Sequence, residues 1–208
     1  PQLFKNIRGQ TIKGTVMEGA QIHGDVFIGE HTVIHSCAVI EGPVYIGRNV
    51  VIGPHSTLRK NTYICDDCVV GHGADIKNSL ILNGAKIQIN TFTGDSLLGQ
   101  AARVGSGAII SNRKFNQALI KVDLGGEELY ESPRDFLGAI LGDHTRIGAN
   151  AVISPGSVIG QYSWIGSGVV WLGTLAPNQL VTVKQELQIR EKEPTALKAG
   201  RVSANDIT

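Results

Sequence analysis

Residues 26–58 read VFIGEHTVIHSCAVIEGPVYIGRNVVIGPHSTL, and every sixth position from Ile28 to Leu58 is aliphatic. The spacing continues on both sides, from Val16 to Leu82, and then fails at Gln88. Two later phases follow, at Leu98, Val104 and Ile110 and at Leu141, Ile147, Ile153, Ile159 and Ile165. A six-residue period of this kind is typical of hexapeptide repeats, which build parallel β-helices.

The residues beside each aliphatic position support this interpretation. Glycine follows many of them, as at Gly53 and Gly71, which suits a chain that turns a corner. A small or β-branched residue, such as Ala38 or Thr62, stands two positions before and fits a narrow interior. Three hexads are expected to close one triangular coil, and stacked coils to lie about 4.8 Å apart. The predicted fold class is therefore all-β, a parallel β-helix.

Composition limits the class of protein. The 208 residues are 42% hydrophobic but only 5% aromatic, which suits a thin interior, and the net charge of +1 argues against a general nucleic-acid or membrane role. No apolar run approaches about 18 residues and no signal peptide is recognisable, so we expect a soluble, cytoplasmic protein. One elongated domain is expected over residues 1–175, with a partly disordered tail over residues 176–208.

The stretch 112–138 lacks the hexad spacing and is expected to project from the β-helix. Within it, residues 118–124 and 127–130 flank Gly125 and Gly126, which predicts a hairpin with a glycine turn. A loop that leaves a rigid solenoid is a common place for function. Leu3 and Phe4, with the tail around residues 171–183, are the candidates to cap the open ends of the helix.

Eighteen-residue stacking predicts columns of side chains on the surface. Arg59 and Lys77 fall one coil apart at the same corner, and Glu41 falls one coil below Arg59. Two adjacent cations repel unless they are solvated or share an anion such as a phosphate. The column is therefore either a solvated corner, partly neutralised by Glu41, or a phosphate site.

Histidines and cysteines give weaker signals. Six histidines occur, and His72 is the most interesting because its expected column neighbour, Asn90, lies at the break in the spacing. Cys65 and Cys68 have C-x-x-C spacing, but no second pair exists, and Cys68 falls on a small inward position. We therefore expect no metal site and name His72 as a weak candidate for a catalytic base.

The sequence also resembles a known family, the acetyltransferase domain of bifunctional sugar-1-phosphate nucleotidylyltransferase/glucosamine-1-phosphate N-acetyltransferases of the archaeal type. Before the loop, the resemblance rests on four segments: Glu41-Gly-Pro-Val-Tyr-Ile-Gly, Asp75-Ile-Lys-Asn-Ser, Gly94-Asp-Ser and Gly105-Ser-Gly-Ala-Ile-Ile-Ser-Asn. After the loop it resumes at residues 137–143 and 155–166. It implies a left-handed coil, a homotrimer with sites between subunits, and acetyl transfer from acetyl-CoA to a hexosamine 1-phosphate.

The resemblance also implies roles for individual residues. Arg59 and Lys77 match the family's phosphate ligands, Asp75 a carboxylate near the sugar, Asn112 a substrate contact and Lys121 a lysine of the loop. A second loop lysine is replaced by Ala118. The family's catalytic histidine and the tyrosine three residues later are replaced by Ile89 and Phe92, and neither can exchange a proton. Binding groups are thus kept while proton-transfer groups are lost.

Several functions remain open at this point. The chain is an acyltransferase with a different base, His72 being the candidate, or with none; or it is a non-catalytic trimer that binds a sugar phosphate or nucleotide sugar. A third possibility is the regulatory and oligomerising tail of a sugar nucleotidylyltransferase. A fourth is a carbonic anhydrase-like protein with zinc on interfacial histidines, although no histidine pair has an identifiable metal spacing.

Overall fold

The computed structural model describes residues 2–124 and 129–191, in which turns join short strands numbered β1 to β28 in chain order. The first sheet contains β1 (Gln10–Ile12), β4 (Val26–Ile28), β7 (Val44–Ile46), β10 (Thr62–Ile64), β13 (Leu80–Ile81), β16 (Leu97–Leu98), β21 (Ile140–Leu141), β24 (Val158–Ile159) and β27 (Thr174–Leu175). The second contains β2 (Thr15–Val16), β5 (Val33–Ile34), β8 (Val51–Ile52), β11 (Val69–Val70), β14 (Lys86–Ile87), β17 (Arg103–Val104), β22 (Arg146–Ile147), β25 (Trp164–Ile165) and β28 (Leu180–Val181). The third contains β3 (Gln21–His23), β6 (Val39–Glu41), β9 (Thr57–Leu58), β12 (Asp75–Lys77), β15 (Phe92–Gly94), β18 (Ile109–Ile110), β23 (Val152–Ile153) and β26 (Val170–Trp171).

The chain visits the three sheets in turn, so each coil adds one strand to each sheet and the whole is a three-sided parallel β-solenoid. The predicted six-residue positions fill its centre: Ile28, Ile46 and Ile64 stack from coil to coil and are fully buried. The small residues two places earlier, such as Ala38 and Thr62, are buried beside them. The predicted fold class is confirmed.

The corners differ from the prediction that glycine turns them. Left-handed backbone lies three residues after the aliphatic position, on non-glycine residues such as His31 (φ 60°) and Asn49 (φ 55°) as well as on glycines such as Gly73 (φ 64°). Gly53 and Gly71 do not have a positive φ; instead, a Cβ built on Gly53 would lie 2.8 Å from the carbonyl carbon of Gly71 and from the amide nitrogen of His72. These glycines are therefore needed because successive coils approach closely.

The predicted break at Gln88 is wrong, because the spacing has already shifted at Ile81, seven residues earlier. Ile64 pairs with Ile81, and Ile81 is fully buried whereas Leu82 is only half-buried. The hexad that ends at Ile81 is one residue short, and Asn78 turns its tightened corner at φ 47°. A second short hexad, with Asp95 at φ 50°, ends at Leu98. The coils through this region therefore repeat at seventeen residues rather than eighteen.

The stretch 112–138 leaves the solenoid and returns to it. Its strands β19 (Lys121–Val122) and β20 (Tyr130–Glu131) pair antiparallel, as the predicted hairpin requires, while its turn at Gly125 and Gly126 lies outside the described residues. The loop packs against later coils, since the Thr174 Oγ1 donates to the Asp123 backbone oxygen over 2.7 Å. Buried Ile120 and Val122 anchor the hairpin.

The N-terminal segment runs up the side of the first sheet. A 3₁₀ helix at Gln2–Phe4 places the Phe4 ring 6.1 Å from that of Tyr63, which stacks in turn on Tyr45 (4.2 Å) and through it on Phe27 (Tyr45–Phe27, 4.9 Å). Each aromatic pair of this kind contributes about 0.5–1.5 kcal/mol of stability in addition to the burial of its apolar area. Leu3 and Phe4 therefore do not cap the first coil as predicted.

Within the tail around residues 171–183, β28 pairs with β25 and is the last strand of the second sheet. Within the described ranges, no helix has the length and hydropathy needed to cross a membrane.

Candidate functional site

Two cations lie in adjacent coils on the third sheet. The register that pairs Asp75 with Thr57 and Ile76 with Leu58 places Lys77 opposite Arg59, and the Arg59 amide donates to the Ile76 carbonyl over 2.8 Å. With Glu41, Lys60, Asn61 and Asn78 they line a groove of about 310 Å³. The sequence-predicted column therefore exists, and Glu41 shares its groove.

Each of the two cations has its own carboxylate. Arg59 forms an ion pair with Asp75, and the Lys77 Nζ lies 3.6 Å from Asp95 Oδ2. The Arg59–Asp75 pair is partly exposed, so its net contribution is about 0–1 kcal/mol and an incoming anion can displace it at small cost. Asp75 Oδ1 is buried and accepts no hydrogen bond from any described residue. An acceptor left in that state favours a ligand that donates to it.

Asp95 connects this pair to the base of the loop. Its side chain is only 4% exposed and accepts hydrogen bonds from Asn78 Nδ2 and, over 2.6 Å, from Asn112 Nδ2. Its backbone oxygen accepts from the Gly138 amide over 2.9 Å. Asn112 begins the loop and Gly138 ends it, so one residue holds both ends of the loop beside Lys77.

A third cation and an aromatic ring complete this side of the site. Arg113 and Phe136 form an isolated antiparallel bridge across the base of the loop. The Phe136 ring lies 4.3 Å from Lys77 Nζ and 4.8 Å from Arg113 Cζ, both as cation–π contacts. Such contacts position a cation without neutralising it. Arg59, Lys77 and Arg113 therefore bring positive charge to one region.

Phe92 and Ile89 are the positions that match the family's proton-transfer residues. Phe92 lies on the third sheet, and Ile89 lies at the corner that precedes it. Phe92 pairs with Asp75 in the adjacent coil, so its ring lies beside the ion pair of the site. Ile89 is 46% exposed at the corner that leads from the second sheet to the third. Neither side chain carries an ionisable group.

His72 has a different neighbour from the one predicted. Because the coil is seventeen residues long here, Ile89 rather than Asn90 lies opposite His72, and the Asn90 amide donates to the His72 carbonyl over 2.9 Å. The His55 ring packs edge-on at 5.4 Å from that of His72. An imidazole thus occupies the coil directly next to Ile89.

Lys121 lies apart from this arrangement, in β19 of the hairpin. Its Nζ is 3.4 Å from Glu131 Oε2 across the two strands. The structure therefore brings together Arg59, Asp75, Lys77 and Asn112, and it places Lys121 in the loop with an acidic partner of its own.

Comparison with known proteins identifies the family. Residues 40–147, about half of the chain, match the GMPPB C-terminal domain. The chain belongs to this family. The match covers the third-sheet residues described above and agrees with the resemblance noted in the sequence.

Relatives of this GMPPB C-terminal domain include two bifunctional proteins from archaea. One, from Sulfurisphaera tokodaii, is a bifunctional sugar-1-phosphate nucleotidylyltransferase/acetyltransferase, 39% identical over 76% of this chain and 39% of its own length. Another, bifunctional protein GlmU of Methanococcus aeolicus, is 34% identical over 91% of this chain and 46% of its own. The chain thus spans less than half the length of these relatives.

Among solved structures, the UDP-N-acetylglucosamine O-acyltransferase LpxA of Moraxella catarrhalis is similar in fold. It superposes with a TM-score of 0.66 at 12% identity, covering 83% of this chain and 66% of that one. This likeness supports the solenoid architecture and nothing finer.

Sequence reasoning did not assign three residues of the GMPPB C-terminal domain site: Asp95, Arg113 and Phe136. Asp95 lies in the quoted Gly-Asp-Ser segment, and Arg113 directly follows Asn112, so both could have been proposed from position alone. Phe136 could not, because only the folded loop brings it to Lys77.

Metal and redox chemistry find little support in the described part of this domain. No group of three or more histidine, cysteine, aspartate or glutamate side chains there is arranged to hold a metal ion. Cys68 is buried and its Sγ contacts the Leu82 carbonyl at 3.2 Å. Burial raises the pKa of the Cys68 thiol to about 12, which disfavours the thiolate that metal binding and disulfide exchange require.

Proposed function

We propose that this domain is acyltransferase-like and binds a sugar phosphate on its third sheet, with the family's general-base catalysis lost. The observation that carries the proposal is the column of Arg59 and Lys77, one coil apart in a single groove. Two cations at this spacing suit a phosphate, whose oxygens accept from both. The acceptor expected from the family resemblance is a hexosamine 1-phosphate.

The carboxylates of the site support a sugar beside the phosphate. Asp75 Oδ1 has a free acceptor position, which a sugar hydroxyl or ammonium group can fill. Asn112 is held by Asp95 at the edge of the same region and is the candidate for a further polar contact. Lys121 is a candidate only if the loop moves, because it is paired with Glu131 in the hairpin.

Catalysis is where the proposal departs from the relatives. Acetyl transfer to an ammonium group requires a base to remove a proton, and Ile89 cannot do so. Loss of a general base costs a factor of about 10² to 10⁴ in rate. Phe92 retains a ring beside Asp75 but has no hydroxyl. We therefore propose binding without efficient transfer, in a homotrimer of the kind the resemblance implies.

The second candidate function is acetyl transfer from acetyl-CoA with His72 as the base. One observation favours it: His72 lies opposite Ile89 in the neighbouring coil, so an imidazole stands next to the position of the family's histidine. The regulatory-tail alternative makes no use of either corner residue.

Calorimetric titration of the protein with glucosamine 1-phosphate tests the proposal. We expect binding that Arg59→Ala and Lys77→Ala each weaken at least tenfold, while Arg48→Ala, an arginine of another corner, leaves it unchanged. An absence of binding, or equal binding by all three variants, rejects the proposal. Incubation of the same protein with acetyl-CoA and glucosamine 1-phosphate separates the candidates, since His72→Ala abolishes acetylated product only under the second.

A further inference from the structure

Three cations form a second column, on the outer face of the second sheet. Lys86 pairs with Arg103 and Arg103 with Arg146, each one coil above the last. All three side chains are exposed. Trp164 continues the column above Arg146, and its side chain is 53% exposed. Strand spacing places successive members about 4.8 Å apart.

This column differs from four other cations of the solenoid. Lys13, Arg48, Arg59 and Lys77 each pair with a carboxylate in the adjacent coil. In contrast, Lys86, Arg103 and Arg146 form no ion pair with any described residue; the Arg146 Nη1 donates to the Ala101 carbonyl over 3.0 Å instead. Like charges directly opposite on neighbouring strands destabilise a sheet, so three in succession favour an anionic partner.

Glycines lie beside the column. Gly105 and Gly148 follow the inward residues of β17 and β22, and a Cβ on Gly105 would lie 2.7 Å from the Ala149 amide nitrogen. They allow adjacent coils, and the cations on them, to lie close together.

We propose that this column binds a nucleoside diphosphate. Arg103 and Arg146 hold the two phosphates, because guanidinium groups match phosphate oxygens in pairs, and the base stacks on the exposed face of Trp164. Lys86 extends the positive charge to a further anionic group on the ligand. The column lies on a different sheet from Arg59 and Lys77, so this site does not depend on the proposed sugar-phosphate function.

Tryptophan fluorescence and calorimetry with ADP and GDP test the site, with inorganic pyrophosphate and glucosamine 1-phosphate as comparison ligands. We expect ADP or GDP to quench fluorescence and to bind more tightly than pyrophosphate. Arg103→Ala and Arg146→Ala should each weaken binding at least tenfold, and Trp164→Leu should remove the advantage over pyrophosphate while leaving pyrophosphate binding intact. Arg48→Ala is the control for loss of one exposed arginine and should change nothing.

Further arms separate the sources of the nucleoside diphosphate. If a nucleotide sugar binds more tightly than the free nucleoside diphosphate, the site belongs to nucleotide sugars. If coenzyme A binds more tightly and Arg103→Ala removes that binding, the site belongs to the nucleotide of an acyl donor. Equal binding by wild type and the arginine variants overturns the proposal. The proposal is also overturned if the protein binds no nucleotide and Arg103→Ala and Arg146→Ala change its oligomeric state. In that case the cations face a second copy of the chain.

Discussion

Asn112 donates from its Nδ2 to Asp95 Oδ2 over 2.6 Å, and this hydrogen bond joins the first residue of the loop to a buried carboxylate of the solenoid. The same carboxylate lies 3.6 Å from Lys77 Nζ. Loop position and the charge environment of Lys77 are therefore coupled through one side chain.

We expect Asp95→Asn to destabilise the protein by about 1–3 kcal/mol, because one buried acceptor is lost and Lys77 loses its counter-charge. Urea denaturation of wild type and variant measures the difference. Asp135→Asn is the matched control, since Asp135 is 48% exposed and only 4.0 Å from Arg113, and it should cost no more than about 1 kcal/mol. Equal costs for the two variants would show that Asp95 does not hold the loop.

Gly71→Ala is expected to destabilise the solenoid by about 1–3 kcal/mol or more, because the added Cβ would lie 2.8 Å from the carbonyl carbon of Gln88 and from the Ile89 amide nitrogen. His31→Gly, at a left-handed corner with φ 60°, should change stability by less than about 1 kcal/mol. Thermal unfolding of both variants checks the pair. A tolerated Gly71→Ala contradicts the close-approach explanation of these glycines.

Restoring the family's proton-transfer residues tests how much of the site is intact. We expect Ile89→His combined with Phe92→Tyr to raise the rate of acetyl transfer to glucosamine 1-phosphate by about 10² to 10⁴ if acetyl-CoA binds. Product formation by mass spectrometry measures it. The double variant in a Lys77→Ala background is the control, because it carries the same base but lacks a phosphate ligand. No gain in rate shows that more than the base has been lost.

The raised pKa of Tyr63 predicts that the protein loses stability at high pH. Burial, with a smaller effect of Tyr45, raises the pKa of Tyr63 to about 12 from its ordinary value of 10.0. The unfolded chain loses the Tyr63 proton near pH 10, whereas the folded protein keeps it until about pH 12. The contribution of Tyr63 to stability is therefore fully present below about pH 10 and is lost as the pH rises through about 12. Unfolding free energies measured across this window should fall in wild type and fall less in Tyr63→Phe. Identical slopes contradict the assignment.

Much of the architecture could be predicted because a single period determines it. The positions from Ile28 to Ile76 are inward without exception, since each hexad turns the same corner. The shift before Ile81 could not be found from aliphatic residues alone, because Ile81 and Leu82 are both aliphatic and either satisfies the pattern. Only the backbone pairing with Ile64 decides between them.

The candidate site was partly predictable for a related reason. Arg59 and Lys77 lie below the shift, so counting eighteen residues places them correctly. His72 and Ile89 lie on either side of it, and the same count assigned His72 the wrong neighbour. Phe136 and the second cation–π partner, Arg113, depend on how the loop folds back, which no period describes.

The two shortened hexads divide the solenoid into parts that differ in how freely they can be edited. Below Ile76 successive coils repeat at eighteen residues, so removing or duplicating a block of that length, such as 23–40, should give a shorter or longer rod that keeps the phase of the coils above it. Between Lys77 and Leu98 an eighteen-residue block would shift the phase by one residue, because the coils there repeat at seventeen. Duplication in whole coils is thus expected to need blocks of eighteen residues beneath Ile76 and of seventeen residues above it as far as Leu98.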